Sequence, residues 1–347
     1  MKTLYKKQNM KKVIFAIVST MLLTSCVEDV TKKLKSIFGA ATADTAAVVN
    51  MVDGNDTKQQ AEKEDIKDLP LLVAAGYGEP DYYAPVGFTP SNQLSGDEYG
   101  ALSEEQQEAE NKRGEAEVDA FVSMLKQNKE RYNKLLVDGT WKDVTFVEAN
   151  FDRGESSTFA MGWKGEERKD HMKYVRYRVS GGKNNGQFNF GMLFTKEYVD
   201  SHNFQKVTNK SVAMPKDVFD KIEQRTGKKI AKVPYGYAIG SDYKYFVVMF
   251  VNEGNKAYAI HAVTTPEGLA LSEMESTDVD ESGEAMWAVD SEGEYPMMDI
   301  LIAEKAGAVL KIWYTDLAPE HACLGAFIVK GDKMQKRDYS ENYIWVN

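Results

Sequence analysis

Lys173-Tyr-Val-Arg-Tyr-Arg-Val179 is the stretch on which the fold class turns. Tyr174, Arg176 and Arg178 alternate with Val175, Tyr177 and Val179. A period of two marks a half-buried β-strand, because successive side chains of a strand point to opposite faces. Working outward, Val144–Ala149, Thr158–Trp163 and Gln187–Phe194 read as strands, with a hairpin loop at Gly181-Gly-Lys-Asn-Asn-Gly186. Further on, Tyr245–Val251, Ala257–Val263, Asp299–Ala303, Val309–Tyr314, Cys323–Val329 and Tyr343–Val346 continue the series. A parallel sheet needs a crossover, usually helical, between successive strands, and no such pattern intervenes, so antiparallel pairing is expected.

Two helices complete the expectation. Ser103-Glu-Glu-Gln106 is a capping box, and a long helix is predicted from it to about Val137, closed by Asp138-Gly139. Val118, Phe121, Val122, Leu125, Tyr132, Leu135 and Leu136 would form its apolar stripe. A shorter helix starts at Pro215, buries Val218, Phe219 and Ile222, and stops at Gly227. The fold class is therefore α+β: antiparallel sheet with one long N-terminal helix and one shorter mid-chain helix. Two tandem helix-plus-meander modules, 98–210 and 211–347, are the favoured arrangement, and one larger sandwich with two peripheral helices is the rival.

The N-terminus carries a different kind of signal. Lys2, Lys6, Lys7, Lys11 and Lys12 precede an apolar run from Val13 to Leu23. That run is too short to span a bilayer, which takes about 20 apolar residues, and has the length of a signal-peptide core. Leu23-Thr24-Ser25-Cys26 follows it and resembles the lipobox of bacterial lipoproteins: an aliphatic residue, two small ones, then cysteine. The resemblance covers residues 1–26 alone. It implies removal of residues 1–25, lipidation of the Cys26 thiol with palmitate-like chains, and a lipid-anchored place at the bacterial outer membrane. Glu28 and Asp29, just behind the cysteine, resemble the acidic residues that mark export to the cell surface in some such proteins.

Residues 26–97 then read as anchor, tether and arm. Asp56 to Asp68 is almost wholly polar, a spacer that cannot bury enough apolar area to order itself. The arm Leu69–Phe88, rich in Gly, Pro and Tyr, is expected to lie extended along the domain without regular structure. Tyr77, Tyr82 and Tyr83 are its candidate ligand-binding residues, for a glycan or protein surface.

Composition narrows the function classes. The chain has a formal net charge of −10, and loss of the five lysines before Cys26 makes the remainder still more acidic. Nucleic acid and anionic lipid are poor partners for such a balance, because neutralising phosphates takes basic surface. Two cysteines, one of them Cys26, leave no disulfide framework, and Cys323 reads as a buried core thiol. The four histidines (His171, His202, His261 and His321) show no metal-ligand spacing on a helix and are expected as satisfied structural groups. No Gly-x-Ser-x-Gly or Gly-Lys-Ser/Thr occurs. Ser123-Met-Leu-Lys126 lacks the companion motifs of penicillin-binding enzymes.

The strongest local signal is acidic. Ser272 to Glu294 holds nine carboxylates and no basic residue. Asp278, Asp280 and Ser282, followed by Gly283, stand where the first calcium ligands and the turn glycine of an EF-hand loop stand, with Glu284 and Asp290 as further donors. Val289 occupies the place of the closing bidentate carboxylate. A solvated acidic hairpin loop is the alternative to calcium. The expected function is a binding or assembly module for a glycan, peptide or envelope partner. An envelope hydrolase using paired carboxylates is the second reading.

Overall fold

Tyr177 and its neighbours form one wall of a closed barrel. In the computed structural model, which describes residues 68–75, 80–90, 94, 96–155, 158–160, 164–180, 189–287, 293–318 and 321–345, strands dominate and pair almost entirely antiparallel. The first strands are β1 (Leu71–Ala75), β2 (Asp81–Pro85), β3 (Tyr132–Val137), β4 (Thr140–Asn150), β5 (Thr158–Ala160), β6 (Tyr174–Val179) and β7 (Phe190–Thr195). Six of them close in the order β1-β2-β6-β4-β3-β7, and β5 leaves to pair elsewhere. Val73, Ala75, Tyr82, Tyr132, Leu135, Val175, Tyr177 and Leu193 fill the interior. The hydroxyls of Tyr132 and Tyr177 donate to the carbonyls of Leu69 (2.9 Å) and Lys129 (2.8 Å), so neither buried polar tip is left unpaired.

Ten more strands follow: β8 (Asn203–Asn209), β9 (Ile230–Ile239), β10 (Tyr243–Phe250), β11 (Lys256–Thr265), β12 (Gly268–Leu271), β13 (Glu275–Asp278), β14 (Met297–Ala306), β15 (Val309–Ala318), β16 (His321–Lys330) and β17 (Lys333–Trp345). Their order runs β10-β9-β8-β14-β15-β16-β17-β12-β11, and β11 pairs back onto β10, so this sheet also returns on itself as a second barrel. Tyr245, Val247, Ile300, Ile312, Tyr314 and Phe327 lie inside it. The weakest joint is between β12 and β17, where Leu271 and Lys333 form the one parallel pair that closes the ring. The outer face of the first barrel (Leu72, Tyr83, Tyr174, Met192, Phe194) packs with Ile302, Trp313, Leu324 and Tyr339 of the second.

The helices are α1 (Gly96–Gly100), α2 (Glu104–Asn128), α3 (Gly165–His171), α4 (Lys196–Ser201) and α5 (Lys216–Thr226). Ser103 Oγ accepts from the Gln106 N–H at 3.3 Å, and Gln106 returns a bond to the Ser103 N–H at 2.9 Å, as the capping box requires. Phe121, Met124 and Leu125 of α2 join the first core. Helix α5 ends at Gly227 in the left-handed region and covers the outer face of β10 and β11 through Val218 and Ile222. Phe219 is only half-buried.

Several expectations are corrected. The long N-terminal helix stops at Asn128 instead of Val137, because Tyr132–Val137 is strand β3. Both faces of β3 are buried, Tyr132, Leu135 and Val137 inside the barrel and Leu136 outside it, which imitates a helical stripe. Asp138 (φ 47°) and Gly139 (φ 67°) make a type I′ hairpin turn into β4, not a helix cap. Short helices α1, α3 and α4 were not expected, nor were strands β8, β9, β12 and β13, and β17 is far longer than Tyr343–Val346. The arm contributes β1 and β2, so it is regular where no regular element was expected. Cys323 is buried in β16, as its setting suggested.

Candidate functional site

Cys26, Tyr77 and Asp290 lie outside the described residues. Tyr82 and Tyr83 are 2% and 4% exposed. As neighbours on β2 they point to opposite faces: Tyr82 enters the first barrel, and Tyr83 meets Tyr174 edge-on at 5.2 Å beneath the Arg168 guanidinium, 3.8 Å above its ring. These two rings belong to cores and present no open aromatic surface.

The acidic stretch forms a turn that binds itself. Asp280 Oδ1 accepts from the Ser282 N–H (2.9 Å), the Ser282 hydroxyl (2.7 Å) and the Glu284 N–H (2.8 Å). Those bonds, the Ser282 hydroxyl foremost, hold the Asp280 carboxyl below its ordinary range. Asp278 pairs with Lys256 at 2.9 Å. Among the described residues no three His, Cys, Asp or Glu side chains converge as a metal cage would need. Asp81 and Glu304 are buried elsewhere, the first fully engaged and the second through Oε1 alone, its Oε2 having no hydrogen-bond partner. Asp81 takes both forks of Arg178 at 2.8 and 2.9 Å, while Glu304 accepts from the Tyr198 hydroxyl at 2.7 Å.

An open groove of about 460 Å³ lies between α5 and the β11–β12 hairpin. Lys221, Gln224 and Arg225 of the helix face Thr264 and Thr265 of the strand across a floor of Val218 and Leu269. Arg225 also spans the β12–β17 joint, donating to the Leu269 carbonyl (2.7 Å) and reaching Asp332. The Asp217 carboxylate also lines it, 3.4 Å from Lys221 Nζ, so polar donors and an acceptor border an apolar floor.

The most concentrated chemistry is inside the second barrel. Strand β11 alternates Ala257, Ala259 and His261 inward with Tyr258, Ile260 and Ala262 outward against α5, so His261 is fully enclosed. Its Nδ1 lies 2.7 Å from the Tyr245 hydroxyl, and its Nε2 lies 2.9 Å from the Tyr295 hydroxyl and 3.3 Å from Glu275 Oε1. Tyr295 donates to Glu275 Oε2 at 2.5 Å. One proton arrangement satisfies every member. Tyr245 donates to Nδ1, Nε2–H donates toward Tyr295 and Glu275, and Tyr295 donates to the carboxylate, leaving a neutral imidazole. Burial lowers the His261 pKa, and Glu275 offsets that only in part. Burial opposes the Glu275 anion as well, yet His261, Lys336 and the Tyr295 hydroxyl outweigh it and hold the carboxyl well down. Asp338 takes the Tyr314 hydroxyl nearby.

This cluster confirms a satisfied histidine but was not foreseen as a network. The available signal was His261 at the centre of the apolar run Ala257-Tyr-Ala-Ile-His-Ala-Val263. Its side-chain partners come from two other strands, β10 and β13, and the loop before β14, and no spacing rule links them. His202, by contrast, stacks on Tyr198 at 3.9 Å. No known protein family, curated protein sequence or solved structure matches this chain.

Proposed function

We propose that this chain is a bacterial outer-membrane lipoprotein, held by acyl chains on Cys26, whose two-barrel body serves as a binding or assembly module for an envelope partner. The observation that carries the reading is Leu23-Thr24-Ser25-Cys26 at the end of a basic and then apolar leader. One acyl chain binds a bilayer only marginally, so several on one cysteine give a firm anchor without a spanning segment. Among the described residues no helix is long and apolar enough to cross a membrane. Both barrel interiors are filled by side chains, which directs ligand recognition to outer surfaces. The groove between α5 and the β11–β12 hairpin is an open surface with polar groups over an apolar floor, a place where a glycan or peptide could lie.

Growth of the native host on labelled palmitate, followed by mass spectrometry of the N-terminal peptide, tests the anchor. Acylated Cys26 is expected, with Cys26→Ser shifting the protein from membrane to soluble fractions. An unmodified thiol, or a Cys26→Ser protein that stays with the membrane, defeats the reading. A photo-crosslinker at Gln224 in intact envelopes tests the groove. Capture that persists unchanged after Lys221→Glu and Thr264→Glu would remove the groove from the proposal.

A further inference from the structure

Backbone ladders close most of the second barrel, but one joint in the ring has almost none. Between β12 and β17 the pairing is a single parallel pair, Leu271 with Lys333, and its bond runs from the Leu271 N–H to the Asp332 carbonyl at 3.2 Å. Among the described residues, every other pair of neighbours in the ring shares at least two residue pairs. Parallel pairing is also slightly weaker per residue than antiparallel, so this joint is held only loosely by its own backbone.

What crosses the joint from outside is helix α5. Arg225, in its last turn, donates to the Leu269 carbonyl of β12 at 2.7 Å. The same guanidinium reaches the Asp332 carboxylate at 3.3 Å and the Asp332 carbonyl at 3.5 Å, one residue before β17. A planar fork of donors can touch both sides of a joint in this way, which a single ammonium cannot. Two attachments place it there. Val218 and Ile222 pack the helix onto Phe246, Val248, Ile260 and Ala262 of β10 and β11. Glu223 accepts from the Ile230 N–H at 3.0 Å and pairs with Lys229 at 2.6 Å, tying the end of the helix to the start of β9.

We propose that α5 is a strap on the second barrel, and that release of Arg225 lets the ring part between β12 and β17. The break falls one residue from the backbone that carries the enclosed histidine. There the Ser272 N–H bonds the His261 carbonyl at 3.0 Å, and the Ser272 hydroxyl oxygen accepts from the His261 N–H at 3.0 Å. The long ladders that join β14, β15, β16 and β17 are untouched by such a break. Local opening of this kind is drawn from the places where few contacts cross, and the joint is the thinnest place in the ring. The Arg225 side chain is 39% exposed, so its bonds hold the joint with ordinary and not buried strength. Losing one hydrogen bond of that strength raises an opening constant by about fivefold.

Hydrogen exchange of the full-length protein, resolved to single amides and corrected for the intrinsic rate, tests the strap. The Leu271 N–H, whose bond crosses the joint, is expected to exchange faster than the amides within β15 and β16. Arg225→Gln should speed Leu271 by about fivefold and leave β15, β16 and the first barrel as they were. Arg225→Lys, which keeps the charge and loses the fork, should fall between parent and Arg225→Gln. Asp332→Asn should change Leu271 less than Arg225→Gln, because the Leu269 carbonyl still accepts from Arg225. A Leu271 rate that Arg225→Gln leaves unchanged would overturn the proposal, as would equal acceleration throughout β15 and β16. So would a parent protein in which Leu271 exchanges as slowly as β15 and β16, a comparison that decides the matter even if Arg225→Gln does not fold.

Discussion

Gly325 shows how far a single missing side chain can organise this protein. It sits between Tyr314 on β15 and Asp338 on β17, in register with both. A Cβ there would lie 2.2 Å from the Tyr314 ring and hydroxyl and 2.8 Å from Asp338 Oδ1. The phenol therefore lies across β16 where a side chain would otherwise stand, and its hydroxyl reaches the carboxylate two strands away. Aromatic cover of a strand glycine is a known way to restore packing that the glycine gives up. Gly325→Ala should push Tyr314 off Asp338 and cost about 1–3 kcal/mol, as overpacking in a tight core does. Thermal melting should fall by several degrees, and Tyr314→Phe, which keeps the ring and loses only the hydroxyl, should fall less. An unchanged melting temperature for Gly325→Ala would show that the ring does not need the glycine. None of this is visible from the sequence, where Gly325 is one glycine between two apolar residues in a strand.

Elements were legible where one local rule operated, and misread where two competed. Tyr174–Val179, Val309–Tyr314 and Cys323–Val329 fall inside strands because each is a clear β-forming run. The capping box at Ser103 starts α2 where expected, and Pro215 and Gly227 bracket α5. Strand β3 failed because it is buried on both faces, and a strand without a polar face loses its period of two. Asp138-Gly139 held the deciding information: Asp-Gly between apolar runs is the strongest short-range hairpin signal, with both residues at positive φ. Placing a β-branched residue there separates the two readings. Gly139→Val should cost about 1–2 kcal/mol, because a left-handed conformation crowds its Cβ, whereas an exposed helix cap would tolerate it similarly only if α2 were the element lost. The test is therefore local. Exchange protection should drop in β3 and β4 and persist in α2 up to Asn128, and a drop confined to α2 would contradict the hairpin.

At the scale of the whole molecule, the sequence pointed to antiparallel sheet but held no trace of barrel closure, which depends on pairs such as β1 with β7 and β10 with β11. Nor does chain order predict how the barrels are stitched together. Strand β5, which precedes β6 of the first barrel, pairs in parallel with the end of β17 in the second. The Thr89 N–H bonds the Tyr339 carbonyl at 2.8 Å, and Arg337 donates back to the carbonyls of Thr89 and Pro90. At the centre of this shared layer Trp313 is fully buried against Tyr339, with ring centroids 4.9 Å apart. Two cores joined by an apolar layer and by backbone bonds should melt as one cooperative unit, because neither outer face is stable once bared. Trp313→Ala removes the largest side chain of that layer and should cost about 3–5 kcal/mol. Calorimetry should then show the single transition of the parent protein lowered and split, the barrels unfolding in sequence. Two well-separated transitions in the parent protein would mean instead that each barrel stands without the other.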